Sequence, residues 1–461
     1  MSDANKAIGV EHFIRGRLDS DGVSVCPAPD GVTLMTPSLD LNSLVWPRAE
    51  GFPAADLTLD DVLDHLTAVG NALEKDGRGY VSDALEKVAK VNPVGGGVLR
   101  KHMASAVSLF NRELMAYEYE QSLGFQGEGW TRATAPDGSQ FEKRWFPTRT
   151  VHIMAGNTPH GGPLAIIRTS LLRGVALMKM PSNDPFTPIA VLRTMHDLDP
   201  DHPLVQCFSA AYWRGGDAEV ESVLFRSQFF DKIIAWGGEG AIRNAVRYLG
   251  PGLELVSFDP KTSISIIGPE AFESPEITRQ VADLAANDVR YQEGCGTSRH
   301  QYVQGTVEQA DAYGEALLAA MKDYHDRVQG SCKPTPPEVV EAVDGLRMLD
   351  PIYKVWGRYD GSGLVVRSDE PVDFYPDGRT VNVVRLDSLD EVVHHVNVAT
   401  QTVGLWPPDL KMTMRDALAS GGVDRVANLG TASAGGTGAL GIPHDGMIAL
   451  HRMVRWIFSA V

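Results

Sequence analysis

An α/β fold built on two doubly wound, mainly parallel sheets is predicted by three features of the 461-residue chain. Short apolar runs alternate with helical periods from Thr150 onward. Glycine or proline punctuates the junctions between them. The alternation starts afresh near residue 260, so a second α/β region is expected beside the first.

Residues 1–148 read as mixed strand and helix, with loops expected at Pro27–Pro29, Trp46–Pro53 and the Gly95-Gly96-Gly97 run. VHIMAG (151–156) has the unbroken apolar character of a buried strand. PLAIIRTSLLR (163–173) places Leu164, Ile167, Leu171 and Leu172 on one helical face and stops at Gly174. VALMKM (175–180) is the next strand, which completes a βαβ unit. PFTPIAVLRTMHDL (helix), LVQCFSAAYW (strand), a helix from about Ala218, DKIIAW (strand) and a helix opening at GGEGAIRNAV continue the pattern to about residue 259. Four parallel strands with intervening helices leave a ligand crevice at the carboxyl ends of the strands.

The region 260–430 carries SISIIG, a helix at SPEITRQVADLAANDV, the QEGCGTS loop, HQYVQG and a long helix to about 328. The strands YKVWGRY, GLVVRS, TVNVVRL and QTVGLWP follow. Residues 431–461 form a last segment, in which HDGMIALHRMVRWIF is expected as an amphipathic helix with Asp445 near its N-cap.

With 43% hydrophobic and 22% charged residues the chain supports several packed cores, which excludes a disordered or fibrous protein. A formal charge of −17 repels phosphate backbones and anionic membranes, so small molecules rather than nucleic acids are the expected partners. The opening MSDANKAIGVEHFIRGR lacks the apolar core of a secretion signal, and no run of 18 uncharged apolar residues occurs. A cytoplasmic protein is expected. Cys26, Cys207, Cys295 and Cys332 lie far apart without CxxC spacing, which fits reduced thiols. No metal site is expected; the adjacent His394 and His395 point to different faces of a helix.

Chemistry concentrates in a few segments. Cys295 is flanked by glycines in GCGTS, where the backbone can bring the sulfur close to a ligand. It reads equally as a nucleophile or as a small hydrophobe in a turn. In AGNTPHGG, Asn157 and His160 stand at the rim of the crevice, and an Asn amide suits a developing oxyanion. Asn-Thr-Pro also makes an ordinary turn before a helix. Lys179 ends its strand either as a cofactor ligand or as a snorkelling lysine. Gly237 and Gly238 let backbone amides approach a dinucleotide, although helix capping explains them as well.

Taken in order, AGNTP, VALMKMPSND, WGGEG, FDPKTS, QEGCGTS, QTVGLWP and GIPHDGMIALHRMVRW resemble the aldehyde dehydrogenase superfamily. More narrowly they resemble its LuxC-like acyl-CoA reductase family, the fatty acid reductases of bacterial bioluminescence. The resemblance runs from about residue 150 to the C-terminus. It implies an aldehyde dehydrogenase-like fold: a Rossmann-like cofactor domain (149–259), an α/β catalytic domain (260–430) and an oligomerisation element. It further implies Cys295 as nucleophile, Asn157 as oxyanion donor, and Lys179, Ser182, Gly237 and Gly238 beside NADPH, with NADH as the alternative. His160, Lys261, His444 and Asp445 are candidates for a substrate or cofactor contact, while Asp445 serves equally as a helix cap. The implied partners are an acyl-CoA or other acyl thioester and further copies of the chain, as a homodimer or larger homo-oligomer.

One departure bears on the reaction. Aldehyde-oxidising relatives carry ELGGK, whose glutamate activates water, whereas this chain reads SFDPK with Ser257 at that place. A serine takes up no proton at neutral pH, which favours thioester reduction over acid formation. Glu293, two residues before Cys295, is the other available base and weighs the opposite way. An acid-forming aldehyde dehydrogenase and a non-catalytic dinucleotide-binding scaffold are the rival readings.

Overall fold

The apolar runs that read as strands are buried along their whole length. In Arg149–Ile153, Val175–Lys179, Phe208–Ala211 and Lys232–Trp236 every residue is buried, as expected for parallel strands covered by helices on both faces. The computed structural model describes residues 7–21, 23–28, 31–124, 129–289, 294–328, 334–432 and 440–460. Glu293 and Cys332 lie outside the described residues. The chain divides into two bodies, one of residues 1–92, 99–259 and 437–461, the other of 93–98 and 260–436.

The first body holds a seven-stranded sheet. Its order is Glu254–Phe258, Lys232–Trp236, Arg149–Ile153, Val175–Lys179, Phe208–Ala211, His12–Ile14 and Arg17–Asp19. The first five are parallel, and the hairpin from the N-terminal region adds antiparallel to the edge. Chain order reverses between Arg149–Ile153 and Lys232–Trp236, so the switch point of this doubly wound sheet lies between their carboxyl ends. Val151, Ile153, Leu177, Ile233 and Ala235 pack with Phe225 and Phe230 in the core on one face.

In the N-terminal region, Leu59–Lys75 begins at a Thr58–Asp61 capping box and Arg112–Leu123 at an Asn111 cap. The expected glycine loop is corrected: Gly96 and Gly97 open the helix Gly96–Val107. They fall in its first turn, and Leu99, Met103 and Ala106 at helical spacing are buried.

The expected C-terminal amphipathic helix is also corrected. Only Ala449–Arg452 is helical, and Arg455–Ala460 is a strand antiparallel to Gln140–Phe146, which pairs in turn with Thr131–Thr134. Trp456, Ile457 and Phe458 are strong strand formers, and Phe458 meets Phe141 across the pair at a ring distance of 5.0 Å. Asp445 does not cap a helix. It has φ of 48° in a tight turn, where His444 and Met447 exchange backbone hydrogen bonds of 2.8 and 2.9 Å.

The second body carries another seven-stranded sheet, in the order Lys354–Arg358, Gly363–Ser368, Thr380–Leu386, Ser298–Gln304, Thr262–Ile267, Thr400–Trp406 and Arg425–Asn428. All neighbours are parallel except the first pair. The helices Pro275–Val289 and Val307–Val328 cover one face, where Val281, Ala285, Tyr313 and Leu317 pack on Val303, Val365 and Val383. His395 ends a 3-10 turn and stacks on Tyr302.

Candidate active site

In the second body, Cys295 sits in the turn that leads into the Ser298–Gln304 strand, where Thr297 N–H closes on the Gly294 carbonyl at 3.0 Å. The residue is half-buried. Ser263 ties this turn to the sheet: its hydroxyl donates to the Cys295 carbonyl at 2.7 Å and accepts from the Thr402 N–H at 3.2 Å. Gln401, next to Thr402 on the same strand, donates its side-chain amide to the Cys295 sulfur at 3.0 Å. Arg425 on the adjoining strand is within electrostatic range of that sulfur and of Asp288, while burial opposes its charge. Asp288 is fully buried and accepts from the Gly430 and Ala432 amides at 2.7 and 2.8 Å, which fixes the chain beyond Arg425.

The other thiols are in different surroundings. Burial pushes Cys207 up to about 12, and burial also raises Cys26. Cys295 differs in having a side-chain amide, that of Gln401, on its sulfur and Arg425 within electrostatic range.

In the first body, the carboxyl ends at the switch point carry Gly156-Asn157 on one strand and Gly237-Gly238 on the other. Asn157 is half-buried. Asn92, itself buried, donates its amide to the carbonyls of Gly156 and Asn183 at 2.6 and 3.0 Å, joining the turns after the first two central strands. Ser182 lies in the second of these turns, anchored by Asp184, which accepts from Thr187 N–H at 3.0 Å. Burial raises the Asp184 carboxyl to about 6. Gly237 has φ of +142°, a conformation that side-chain-bearing residues rarely adopt, and Gly238 caps the helix Glu239–Val246. Lys179 is buried against Gly215, and burial pushes its ammonium down to about 8, partly countered by Glu221. Such a group is matched by an anionic ligand, and an open backbone at a helix N-terminus accepts phosphate, so these residues fit a dinucleotide.

His160 precedes the helix Gly161–Leu171, bonds Thr158 through Nδ1 at 2.7 Å, and is pushed to about 4 by burial. His444 packs edge-on to Trp236 at 5.8 Å and against Phe258 at 4.9 Å, and these two rings stack on each other at 3.8 Å. It therefore stands beside Gly237, and Asp445 follows it in the turn. Lys261 belongs to the second body, where its ammonium is held by Asp424 at 2.5 Å and by the Val398 carbonyl at 3.0 Å. Ser257 is a half-buried residue of the edge strand, paired with Ala235.

A family model described as acyl-CoA reductase (LuxC) matches residues 54–456, nearly the whole chain. The chain belongs to the LuxC family. The LuxC match thus takes in most of the N-terminal region as well as both sheets. Relatives are long-chain acyl-protein thioester reductases of Photorhabdus luminescens, 30% identical over 68% of this chain and 64% of that protein, and of Vibrio harveyi, 27% identical over 70% and 66%. The chain spans about two thirds of the length of the curated relatives it matches. Among solved structures, the NADP-dependent glyceraldehyde-3-phosphate dehydrogenase of Bacillus halodurans aligns with TM-score 0.71 and 13% identity over 98% of this chain and 99% of that one. A salicylaldehyde dehydrogenase of Pseudomonas putida aligns with TM-score 0.72 and 12% identity over 98% of each. The LuxC chain has the aldehyde dehydrogenase fold.

Sequence reasoning missed Gln401, Ser263 and Arg425 around the LuxC cysteine, and Asn92 behind Asn157. Gln401 opens the QTVGLWP strand, and a polar residue heading a buried strand was its only signal. Asn92 precedes a proline in an irregular stretch and carries no periodic signal. Trp236 was legible as the last residue of its strand, but the Glu254–Phe258 strand was not read, and so neither was the stacking of Phe258 on Trp236.

Proposed function

We propose that this protein reduces an acyl thioester, acyl-CoA or carrier-bound, to an aldehyde with NADPH, through an acyl group held on Cys295. The observation that carries this reading is the Cys295 thiol itself, presented by an anchored turn with a donor on its sulfur. Family membership supports the substrate class, and the fold neighbour complexed with NADP supports the cofactor.

In this reading the Cys295 thiolate attacks the thioester carbonyl, and the new S–C bond forms as the carbonyl oxygen takes negative charge. The Asn157 amide donates to that oxyanion. Collapse breaks the original S–C bond, and the departing thiolate takes its proton from water. NADPH, when bound, supplies the hydride that reduces the acyl-cysteine. Lys179, Ser182 and the Gly237-Gly238 backbone would hold the dinucleotide. The resulting thiohemiacetal oxyanion then expels the Cys295 thiolate and releases the aldehyde. Ser257 provides no base for water, so the acyl-enzyme persists long enough to be reduced. His444, which stands beside Gly237, would contact the cofactor in this reading.

Subunit pairing through the small sheet completed by Arg455–Ala460 is part of this proposal. Its Trp456 and Phe458 are 46% and 64% exposed, an unusual load of aromatic surface on a strand edge.

The test is NADPH oxidation with acyl-CoA thioesters of increasing chain length, beside Cys295→Ala and with aldehyde trapped. Oxidation requiring both thioester and Cys295 is expected. Acid formation from aldehyde and NADP+ without added thiol would replace this reading with the oxidising one.

A further inference from the structure

The second body brings together, around one sulfur, groups from three strands, and among these described residues none is a general base. Gln401 donates to Cys295 Sγ at 3.0 Å from the Thr400–Trp406 strand. Ser263, buried on the neighbouring strand, holds both partners: it binds the Cys295 carbonyl at 2.7 Å and the Thr402 N–H at 3.2 Å. The separation of amide and sulfur is therefore set by the sheet and not by a flexible loop. Arg425 lies within electrostatic range from the Arg425–Asn428 strand, its guanidinium steadied by the Ala432 and Thr431 carbonyls at 3.3 and 3.2 Å. Two other charges beside these strands, Asp288 and Lys261, are engaged. Asp288 accepts two backbone amides, and Lys261 is paired with Asp424.

A thiol must lose its proton to attack a carbonyl, and where no base removes it the surroundings must favour the anion. An N–H aimed at the sulfur becomes a charge-assisted hydrogen bond only in the thiolate form, and a nearby cation adds to the same preference. We propose that Gln401, with Arg425 behind it, holds Cys295 as the thiolate, the proton passing to solvent before substrate arrives. This rests on the reading of Cys295 as acyl carrier and adds the means of its activation. Gln401 touches a reacting atom and is in that sense a catalytic residue. The same amide becomes a neutral donor to the thioester sulfur once the acyl group is attached, so its preference for the anion favours Cys295 as leaving group when the aldehyde departs.

The experiment is the pH dependence of iodoacetamide alkylation at Cys295, read by peptide mass spectrometry in the full-length chain, for wild type, Gln401→Leu, Gln401→Glu and Arg425→Met. Loss of the amide donor is expected to move the inflection up by about one pH unit and slow labelling about tenfold at pH below it. Gln401→Glu, the near-isosteric change, is expected to move it further, since its carboxylate opposes the thiolate; Arg425→Met is expected to move it in the same direction as Gln401→Leu. Thermal unfolding of each variant serves as the folding control, and Gln401→Glu carries the test if Gln401→Leu does not fold. Profiles of both Gln401 variants that superimpose on wild type within twofold would overturn the proposal. Mass spectrometry of the chain after acyl-CoA without NADPH tests the underlying reading separately: an acyl adduct that survives Cys295→Ala would remove Cys295 as carrier, whatever the alkylation profiles show.

Discussion

The side-chain amide of Asn92 reaches the Gly156 carbonyl at 2.6 Å, one residue before Asn157. The same amide holds the Asn183 carbonyl at 3.0 Å, so one buried side chain locks the turn bearing Asn157 to the turn bearing Ser182. Asn92→Leu removes both bonds. A shift of Asn157 by about 1 Å costs on the order of 10²-fold in rate, so kcat for thioester reduction is expected to fall by about that factor while cofactor affinity changes less. Steady-state kinetics with varied NADPH and varied thioester separate the two effects.

Gly156 has no room for a side chain. An added Cβ would lie 1.9 Å from Asn183 Oδ1 and 2.9 Å from Pro181 Cγ. Gly156→Ala is expected to destabilise the first body by about 1–3 kcal/mol and to lower activity with it. Urea denaturation followed by tryptophan fluorescence gives the stability, and an unchanged midpoint would contradict the packing argument.

Gly238 presents the opposite case, since nothing lies within 4 Å of a Cβ placed there. Gly238→Ala is expected to leave thermal stability within about 0.5 kcal/mol of wild type. NADPH titration by fluorescence should nevertheless show weaker binding, because the added methyl enters the space proposed for the dinucleotide. Equal affinity in the two proteins would place the cofactor elsewhere.

Arg168 and Glu118 form an ion pair of 2.8 Å with side chains 1% and 3% exposed. Burial raises the Glu118 carboxyl, and the Arg168 charge opposes that shift. Arg168→Met leaves the carboxylate buried without its partner and is expected to cost about 3–5 kcal/mol. The double variant Arg168→Met with Glu118→Leu should recover much of that loss, which chemical denaturation of all three proteins would reveal.

Burial pushes His12 and His160 to about 4 and His152 to about 3. Unfolded histidines bind a proton near pH 6.5, so between that value and the folded pKa the unfolded chain holds more protons. Stability is therefore full above about pH 6.5 and is lost as pH falls, by up to about 1.4 kcal/mol per pH unit for each histidine. Denaturation midpoints measured at decreasing pH should decline accordingly, and His152→Leu should make the decline shallower.

Much of the fold was legible because buried parallel strands leave continuous apolar runs, as in KIIAW and VALMK, separated by helices of regular period. Where reading failed, local and tertiary preferences diverged. RWIFSA reads as part of a helical period with the residues before it, yet it becomes a strand because the Gln140–Phe146 strand offers it a partner 309 residues or more away in sequence. The Gly95–Gly97 run carries loop composition, yet the apolar residues after it draw two of its glycines into a helix.

By itself the sequence determined the α/β class, the order of the main strands and the prominence of Cys295, Asn157, Lys179 and the Gly237-Gly238 turn. Those features are local: periodicity, punctuation, and reactive residues flanked by glycine or standing at strand ends. Only the tertiary structure decided which groups surround them. Gln401 reaches the cysteine sulfur because two strands far apart in the chain flank the Ser263 strand, and Asn92 reaches Gly156 because a loop packs beneath the crevice. A hydrogen bond between residues so distant in sequence leaves no pattern in either segment, since it depends on the register of a sheet that exists only after folding.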